Sequence, residues 1–242
     1  LVENNFNLCE LGPRGTGKTT MAKLLAKALN CEQGIGHQCN ECESCKEIIN
    51  GSHPDVIEID AASNNGVEQV RDLINKVNYL PIEGRYKVYI IDEVHMMTTS
   101  AFNALLKTLE EPPAHVIFIL ATTEPHNILP TILSRCQRYD FTKVSDADIA
   151  NRLEIVLQSE GIEYEDEALN AIISLADGGM RDALSILDQV LAYSGNTLNE
   201  DDVYTLFGLT SKEEKIDLLK SILQNDASRC LKLINGFFIG GV

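Results

Sequence analysis

The chain has 242 residues, 44% of them apolar, which is enough for one large or two modest globular domains with a real core. Its formal charge is -16, from 36 acidic and 20 basic residues, so a broad basic face for duplex nucleic acid is excluded. No apolar run approaches the roughly eighteen residues that read as a membrane span, and LVENNFNLCE has neither the basic nor the apolar region of a signal peptide.

In chain order, FNLCEL reads as a strand leading into GPRGTGKTT, and a helix follows from Lys18 to Asn30. DVIEIDAA is the next strand and VEQVRDLINKVNYL the next helix. KVYIIDEVH is almost continuously apolar at its start, as a central parallel strand buried on both faces should be. SAFNALLKTLEE is a helix stopped by Pro112 and Pro113, HVIFILATT is another buried strand, and RYDFTKV is a short closing strand. Strand and helix in alternation predict an α/β doubly wound parallel sheet over residues 1–144. From Ser145 to Phe207 the pattern is helical only, in DADIANRLEIVLQSEG, EDEALNAIISLADG, GMRDALSILDQVLAYSG and NEDDVYTLFG. An all-helical domain is expected over 145–208, and 209–242 begins a further helical segment. Fourteen acids between Ser145 and Asp202 face only Arg152 and Arg181, which reads as a solvated acidic surface.

Gly12, Gly17, Lys18 and Thr19 fit G-x-x-x-x-G-K-[ST], between a strand and a helix as that pattern requires. The loop Gly12, Pro13, Arg14, Gly15, Thr16, Gly17, Lys18, Thr19 and Thr20 is therefore the expected phosphate cradle for ATP. Glycines let backbone N–H groups point inward, Lys18 adds a point charge, and the Thr19 hydroxyl offers a ligand to Mg2+. Asp92 and Glu93 end a buried strand, where ligands of open α/β sheets sit. Asp92 is expected to hold Mg2+ and Glu93 to polarise the attacking water. Thr122 and Thr123 end the strand HVIFILATT, and a hydroxyl there could touch the γ-phosphate or its water. Arg135 and Arg181 suit developing phosphate charge, and each is equally suited to a structural ion pair.

Seven cysteines without a secretion signal point to a reducing compartment, the cytoplasm. Cys9, Cys136 and Cys230 read as isolated. Cys31, Cys39, Cys42 and Cys45 put four thiols in one short module over 31–45. A structural Zn2+ tetrad, an iron–sulfur cluster and a disulfide framework all fit four clustered thiols, and zinc is the expectation. His37 and His53 read as solvated side chains.

GPRGTGKTT, DEVHMM, FNALLKTLEEPP, ATTEP, ILSRC and GGMRDALS, together with the four-cysteine module, resemble the gamma/tau subunits of bacterial DNA polymerase III, the motor of the replicative clamp loader. The resemblance runs from Gly12 to the end of the chain. It implies an AAA+ P-loop fold with a helical lid and a collar cut short at Val242. It makes Thr122 the sensor at the end of its strand, Arg135 an arginine finger acting on a neighbouring subunit's ATP, and Arg181 the lid arginine that senses the γ-phosphate in cis. The implied activity is ATP hydrolysis within the DNA polymerase III holoenzyme, loading a sliding clamp on primed DNA. The implied partners are delta and delta-prime subunits, further gamma/tau copies in a hetero-pentamer, the sliding clamp and the polymerase core, in a nucleoid-associated replisome. A delta-prime-like subunit or a non-hydrolysing ATP-binding assembly module are the alternatives; the intact phosphate loop and the Asp92–Glu93 pair favour gamma/tau. The first cysteine gap is seven residues, shorter than the family's, and Glu10 is foreign to an apolar first strand beside phosphates. The family's adenine-holding segment is missing, so the chain reads as a fragment or as one with a faulty start.

Overall fold

A computed structural model describes residues 7–195, 197–209 and 212–239. The chain forms two compact units that divide between Lys143 and Val144. The first is built on β1 (Asn7–Leu11), β2 (Val56–Asp60), β3 (Lys87–Asp92), β4 (Val116–Thr122) and β5 (Cys136–Asp140). These make one parallel sheet in the order β2-β3-β4-β1-β5. The burial of the strands follows that order. β3 and β4 sit in the middle and are almost wholly buried, whereas the edge strand β2 alternates.

Helices cover both faces. On one face Leu8 of β1, Val88 and Ile90 of β3 and Ile119 of β4 pack on Ala22, Ala26 and Leu29 of α1 (Lys18–Asn30) and Ile48 of α2 (Glu43–Asn50). On the other, Leu11, Tyr89, Ile91, Phe118 and Leu120 pack on α3 (Val67–Val77) and α4 (Thr99–Glu110). Successive strand residues thus feed two cores, because side chains alternate across a strand. A short α5 (Pro130–Leu133) leads into β5. Parallel register brings Leu11 level with Thr122 and Asp60 level with Asp92, so the carboxyl ends of β1, β3 and β4 form one rim.

Two expectations shift, and one helix lies where none was read. The closing strand spans Cys136–Asp140 rather than RYDFTKV, because its partner β1 ends at Leu11, whose carbonyl accepts the last bond, from Phe141 N–H at 2.6 Å. The cysteine module carries a helix, α2, that thiol spacing hid. Cys9 and Cys136 are not isolated, since they lie on paired strands and their thiols interact.

The second unit packs α6 (Asp146–Glu160), α7 (Asp166–Ala176), α8 (Met180–Ser194) and α9 (Glu200–Phe207) around Ile149, Leu153, Leu157, Ile172, Leu187 and Val203. Ser145 caps α6 by accepting from Asp148 N–H at 3.2 Å, and Gly161 ends it in the left-handed conformation. The expectation of helices alone needs correcting here. Glu163–Tyr164 and Thr197–Leu198 pair as a two-residue parallel bridge, too short to leave a period-two signal. Helices α10 (Lys212–Leu223) and α11 (Ala227–Ile239) follow and pack on each other.

Candidate functional site

The phosphate loop joins β1 to α1. Gly12 has φ 153, and a Cβ there would stand 2.2 Å from the Phe141 carbonyl oxygen, so only glycine fits. Gly17 enters α1 in the left-handed conformation, and the helix has neither a side-chain cap nor an acid in its first turn. Its first N–H groups therefore face the loop with the positive end of the helix dipole, an arrangement suited to anions. Lys18 folds back over the loop and donates to the carbonyls of Gly12 and Pro13 at 2.8 and 2.6 Å. Thr16 donates to Pro13 at 2.9 Å. Arg14, Gly15 and Thr20 lie in the same loop and first helical turn.

The rim of the sheet supplies the rest. Thr19 Oγ1 donates to Asp92 Oδ2 at 2.7 Å, and Asp92 Oδ1 accepts from Glu93 N–H at 2.9 Å. A hydroxyl and a carboxylate held together at a phosphate loop make an oxygen donor pair suited to Mg2+. Glu93 has φ 47, a strained conformation for a non-glycine residue that turns its carboxylate toward the end of β4. There Glu93 Oε2 accepts from Thr123 Oγ1 at 2.9 Å and Thr123 N–H at 3.3 Å, with His95 Nδ1 at 3.3 Å. Thr122 is fully buried, and its hydroxyl meets His95 Nδ1 at 2.9 Å and accepts from Glu124 N–H at 3.0 Å. Thr123, not Thr122, thus touches the carboxylate of the pair. His95, two residues beyond Glu93, escaped sequence reasoning although DEVH places it on the same turn.

The two arginines belong to different units. Arg135 immediately precedes β5, whose first residue pairs with Asn7 at the amino end of β1. It lies about five strand residues, roughly 16 Å, from the phosphate rim of its own chain. Its guanidinium pairs with Glu110 and donates to the Thr131 carbonyl. Arg181 is exposed in the first turn of α8, in the second unit.

The four-cysteine module is compact. The Sγ atoms of Cys31, Cys39, Cys42 and Cys45 lie within 4.8 Å of one another, with Cys31 at 3.6 Å from Cys39 and 4.0 Å from Cys42. A tetrahedral zinc with sulfur at about 2.3 Å needs sulfurs about 3.8 Å apart, so the residues fit that ion. Backbone N–H groups of Cys42 and Glu41 donate to Cys39 and hold its thiol down at about 6. Burial pushes Cys45 up to about 12, a cost that a divalent cation reverses.

The expectation for His53 fails. His37 is exposed, but His53 is only 3% exposed. Its Nδ1 accepts from Asp55 N–H at 3.1 Å and its Nε2 meets Ser44 Oγ at 3.2 Å, which ties α2 to the start of β2. Two buried acids were also not given a structural role by the sequence. Asp55, fully buried, accepts from the N–H groups of Ile82, Glu83 and Gly84 at 2.7–2.9 Å. Burial pushes its pKa up, and those donors outweigh burial and hold it below the usual range. Glu10 of β1 is 6% exposed, and its Oε2 has no hydrogen-bond partner. Burial raises its pKa to about 7, with Lys18 pulling it down and Asp92 pushing it up.

Comparison with known proteins agrees with this layout. A family model described as "DNA polymerase III, delta subunit" matches residues 8–145, and one described as "DNA polymerase III clamp loader subunit, ATPase lid domain" matches residues 148–196. DNA polymerase III subunit tau of Bacillus subtilis is 54% identical over 97% of this chain, which spans 42% of that relative's length. DNA polymerase III subunit gamma of Buchnera aphidicola subsp. Schizaphis graminum is 43% identical over 97% of this chain and 67% of its own. The Thermotoga maritima RuvB Holliday junction branch migration motor shares the fold, with a TM-score of 0.58 at 16% identity over 90% of this chain and 68% of that one. With its parallel-sheet P-loop domain, clamp-loader lid and four-cysteine module, the chain belongs to the gamma/tau subunit family of DNA polymerase III, on an AAA+ ATPase fold.

Proposed function

We propose that the chain binds and hydrolyses Mg·ATP as a motor subunit of the clamp loader, which places a sliding clamp on primed DNA. The observation that carries this reading is the uncapped start of α1 beside the Thr19–Asp92 pair, with Glu93 next in the chain. The α1 N–H groups and Lys18 receive the phosphates, and Lys18 then exchanges the Gly12 and Pro13 carbonyls for phosphate oxygens. Thr19 and Asp92 hold Mg2+, which neutralises phosphate charge when bound. Glu93 accepts a proton from the attacking water, and Thr123 orients that carboxylate. Thr122 acts as the sensor of the rim through His95. Arg135 acts on the ATP of a neighbouring copy; its place at the amino end of β1 and β5, opposite the phosphate rim, supports action in trans. Arg181 senses the γ-phosphate from the lid. Cys31, Cys39, Cys42 and Cys45 hold a structural Zn2+ with no role in hydrolysis.

The partners in this reading are delta and delta-prime subunits, further gamma/tau copies, the clamp, the polymerase core and primer–template DNA, in the cytoplasm. Among the described residues no helix is long and apolar enough to cross a membrane. The test compares the full-length protein with Glu93→Gln in the assembled complex. Both should bind ATP, and the variant should hydrolyse it about 10²- to 10⁴-fold more slowly. Equal, slow turnover by both would instead support a non-hydrolysing assembly module.

A further inference from the structure

Glu93 is held in a seat that its own backbone does not favour, since its φ of 47 lies in the left-handed region. The short turn Val94–Met96, closed by Met96 N–H on the Glu93 carbonyl at 2.8 Å, returns the chain so that His95 stands beside that carboxylate. The His95 side chain is 9% exposed, and its Nδ1 lies 3.3 Å from Glu93 Oε2 and 2.9 Å from Thr122 Oγ1. Thr123 Oγ1 and N–H reach the same Oε2 at 2.9 and 3.3 Å. Among the described residues these contacts all fall on Oε2, and Oε1 receives none. A neutral imidazole has one N–H, and the neighbours select which nitrogen carries it. A lone pair on Nδ1 would face the carboxylate oxygen and repel it, whereas an N–H there attracts the carboxylate and donates to Thr122. Thr122 Oγ1 then accepts from both His95 and Glu124 N–H, which fills its two lone pairs and leaves its own proton to give. The opposite tautomer would spend that proton on Nδ1.

We propose that His95, as its Nδ1–H tautomer, is a positioning residue for hydrolysis: it draws Glu93 Oε2 into the seat shared with Thr123, leaves Oε1 as the oxygen that takes the water's proton, and keeps the Thr122 proton available to phosphate. This rests on the nucleotide reading above. An oxygen on which several polar hydrogens converge is the poorer base, so the seat selects Oε1 as well as holding the carboxylate still. Without His95 the carboxylate is held by Thr123 alone, and a swing of about 1 Å is enough to cost about 10²-fold in rate. Nucleotide binding, which uses the loop and α1, does not pass through His95.

The experiment uses the full-length protein assembled with its partner subunits, clamp and primed DNA, and reads single-turnover hydrolysis of Mg·ATP beside the affinity for Mg·AMP-PNP. Asparagine carries its amide nitrogen on Cγ, as histidine carries Nδ1; glutamine carries it one bond further out, near the place of Nε2. His95→Asn should therefore recover most of the rate, while His95→Gln and His95→Ala should hydrolyse about 10- to 100-fold more slowly. Nucleotide affinity should stay within about twofold of wild type in all three. Thermal unfolding confirms that each variant folds, and if alanine does not, the asparagine–glutamine pair decides. Nitrogen NMR of the histidine-labelled protein, assigned by the signal lost in His95→Asn, should show Nδ1 protonated. Glutamine or alanine as fast as wild type, asparagine as slow as glutamine, affinity lost in step with rate, or an unprotonated Nδ1 would each overturn the proposal alone. No binding or no hydrolysis of nucleotide by wild type would overturn the nucleotide reading and this inference with it.

Discussion

Replacing Gly12 with alanine should damage both the stability of the first unit and its nucleotide site, and the structure sets the scale. The new Cβ would stand 2.2 Å from the Phe141 carbonyl oxygen and 2.8 Å from the Phe141 Cβ. An ordinary carbon–oxygen contact is about 3.3 Å, so a gap of about 1 Å must open. The oxygen is backbone and the Cβ is bonded directly to backbone, so no rotamer change relieves the clash. Phe141 is pinned by its N–H to Leu11, and Gly12 by its N–H to Thr122 at 3.2 Å. Opening the gap costs about 1–3 kcal/mol of overpacking, and a lost backbone bond adds about 1 kcal/mol. A φ of 153 is a further strain for a side-chain-bearing residue. A total near 4 kcal/mol should lower the melting temperature by about 8–15 °C. Nucleotide affinity should fall with it, because the carbonyl that Lys18 rests on moves. Thermal unfolding and nucleotide titration of the same protein measure both. A variant that melts within about 2 °C of wild type and binds nucleotide normally would refute the close approach of Gly12 to Phe141.

Arg135→Ala should leave ATP binding intact and abolish hydrolysis by the assembled complex; normal turnover of that complex would remove the trans role. Cys42→Ala should reduce bound zinc from about one per chain to near none, read by metal analysis, and loosen α2, whose first turn Cys42 caps by accepting from Cys45 N–H at 3.4 Å. Retention of zinc in the variant would count against the tetrad. Asp55→Ala should destabilise the first unit by about 3 kcal/mol in denaturant titration, because three N–H groups lose their acceptor. Its depressed pKa means that the contribution of Asp55 is present above pH ~4 and is lost as pH falls through the lower folded value. A wild-type-minus-variant difference that grows toward acid would contradict that sign.

The parts of this molecule that sequence reveals are those whose chemistry is contiguous. The phosphate loop needs its glycines, lysine and threonine at fixed offsets, and the tetrad needs thiols a few residues apart, so both are legible as strings. The buried strands β3 and β4 announce themselves because a central parallel strand has no polar face. Contacts between distant segments leave no such trace. The Thr123–Glu93 bond spans thirty positions, the Asp55 cradle is closed by a loop nearly as far away, and His53 is buried only because Ser44 and Asp55 converge on it. Arg135 and Arg181 carry no local signal of function, and their roles came from resemblance alone. Glu10 was visible as an oddity, but its burial and its unpartnered oxygen depend on its lying inside the sheet between β4 and β5, on the face that Leu8 packs against α1.

Clamp loading is the proposed purpose of ATP turnover. Its most direct test is the steady-state ATPase rate of the full-length protein, assembled with its partner subunits, with and without sliding clamp and primed DNA. Turnover should rise when clamp and primed DNA are present together and should disappear in Glu93→Gln. A rate indifferent to clamp and DNA, or unchanged by the loss of Glu93, would contradict it.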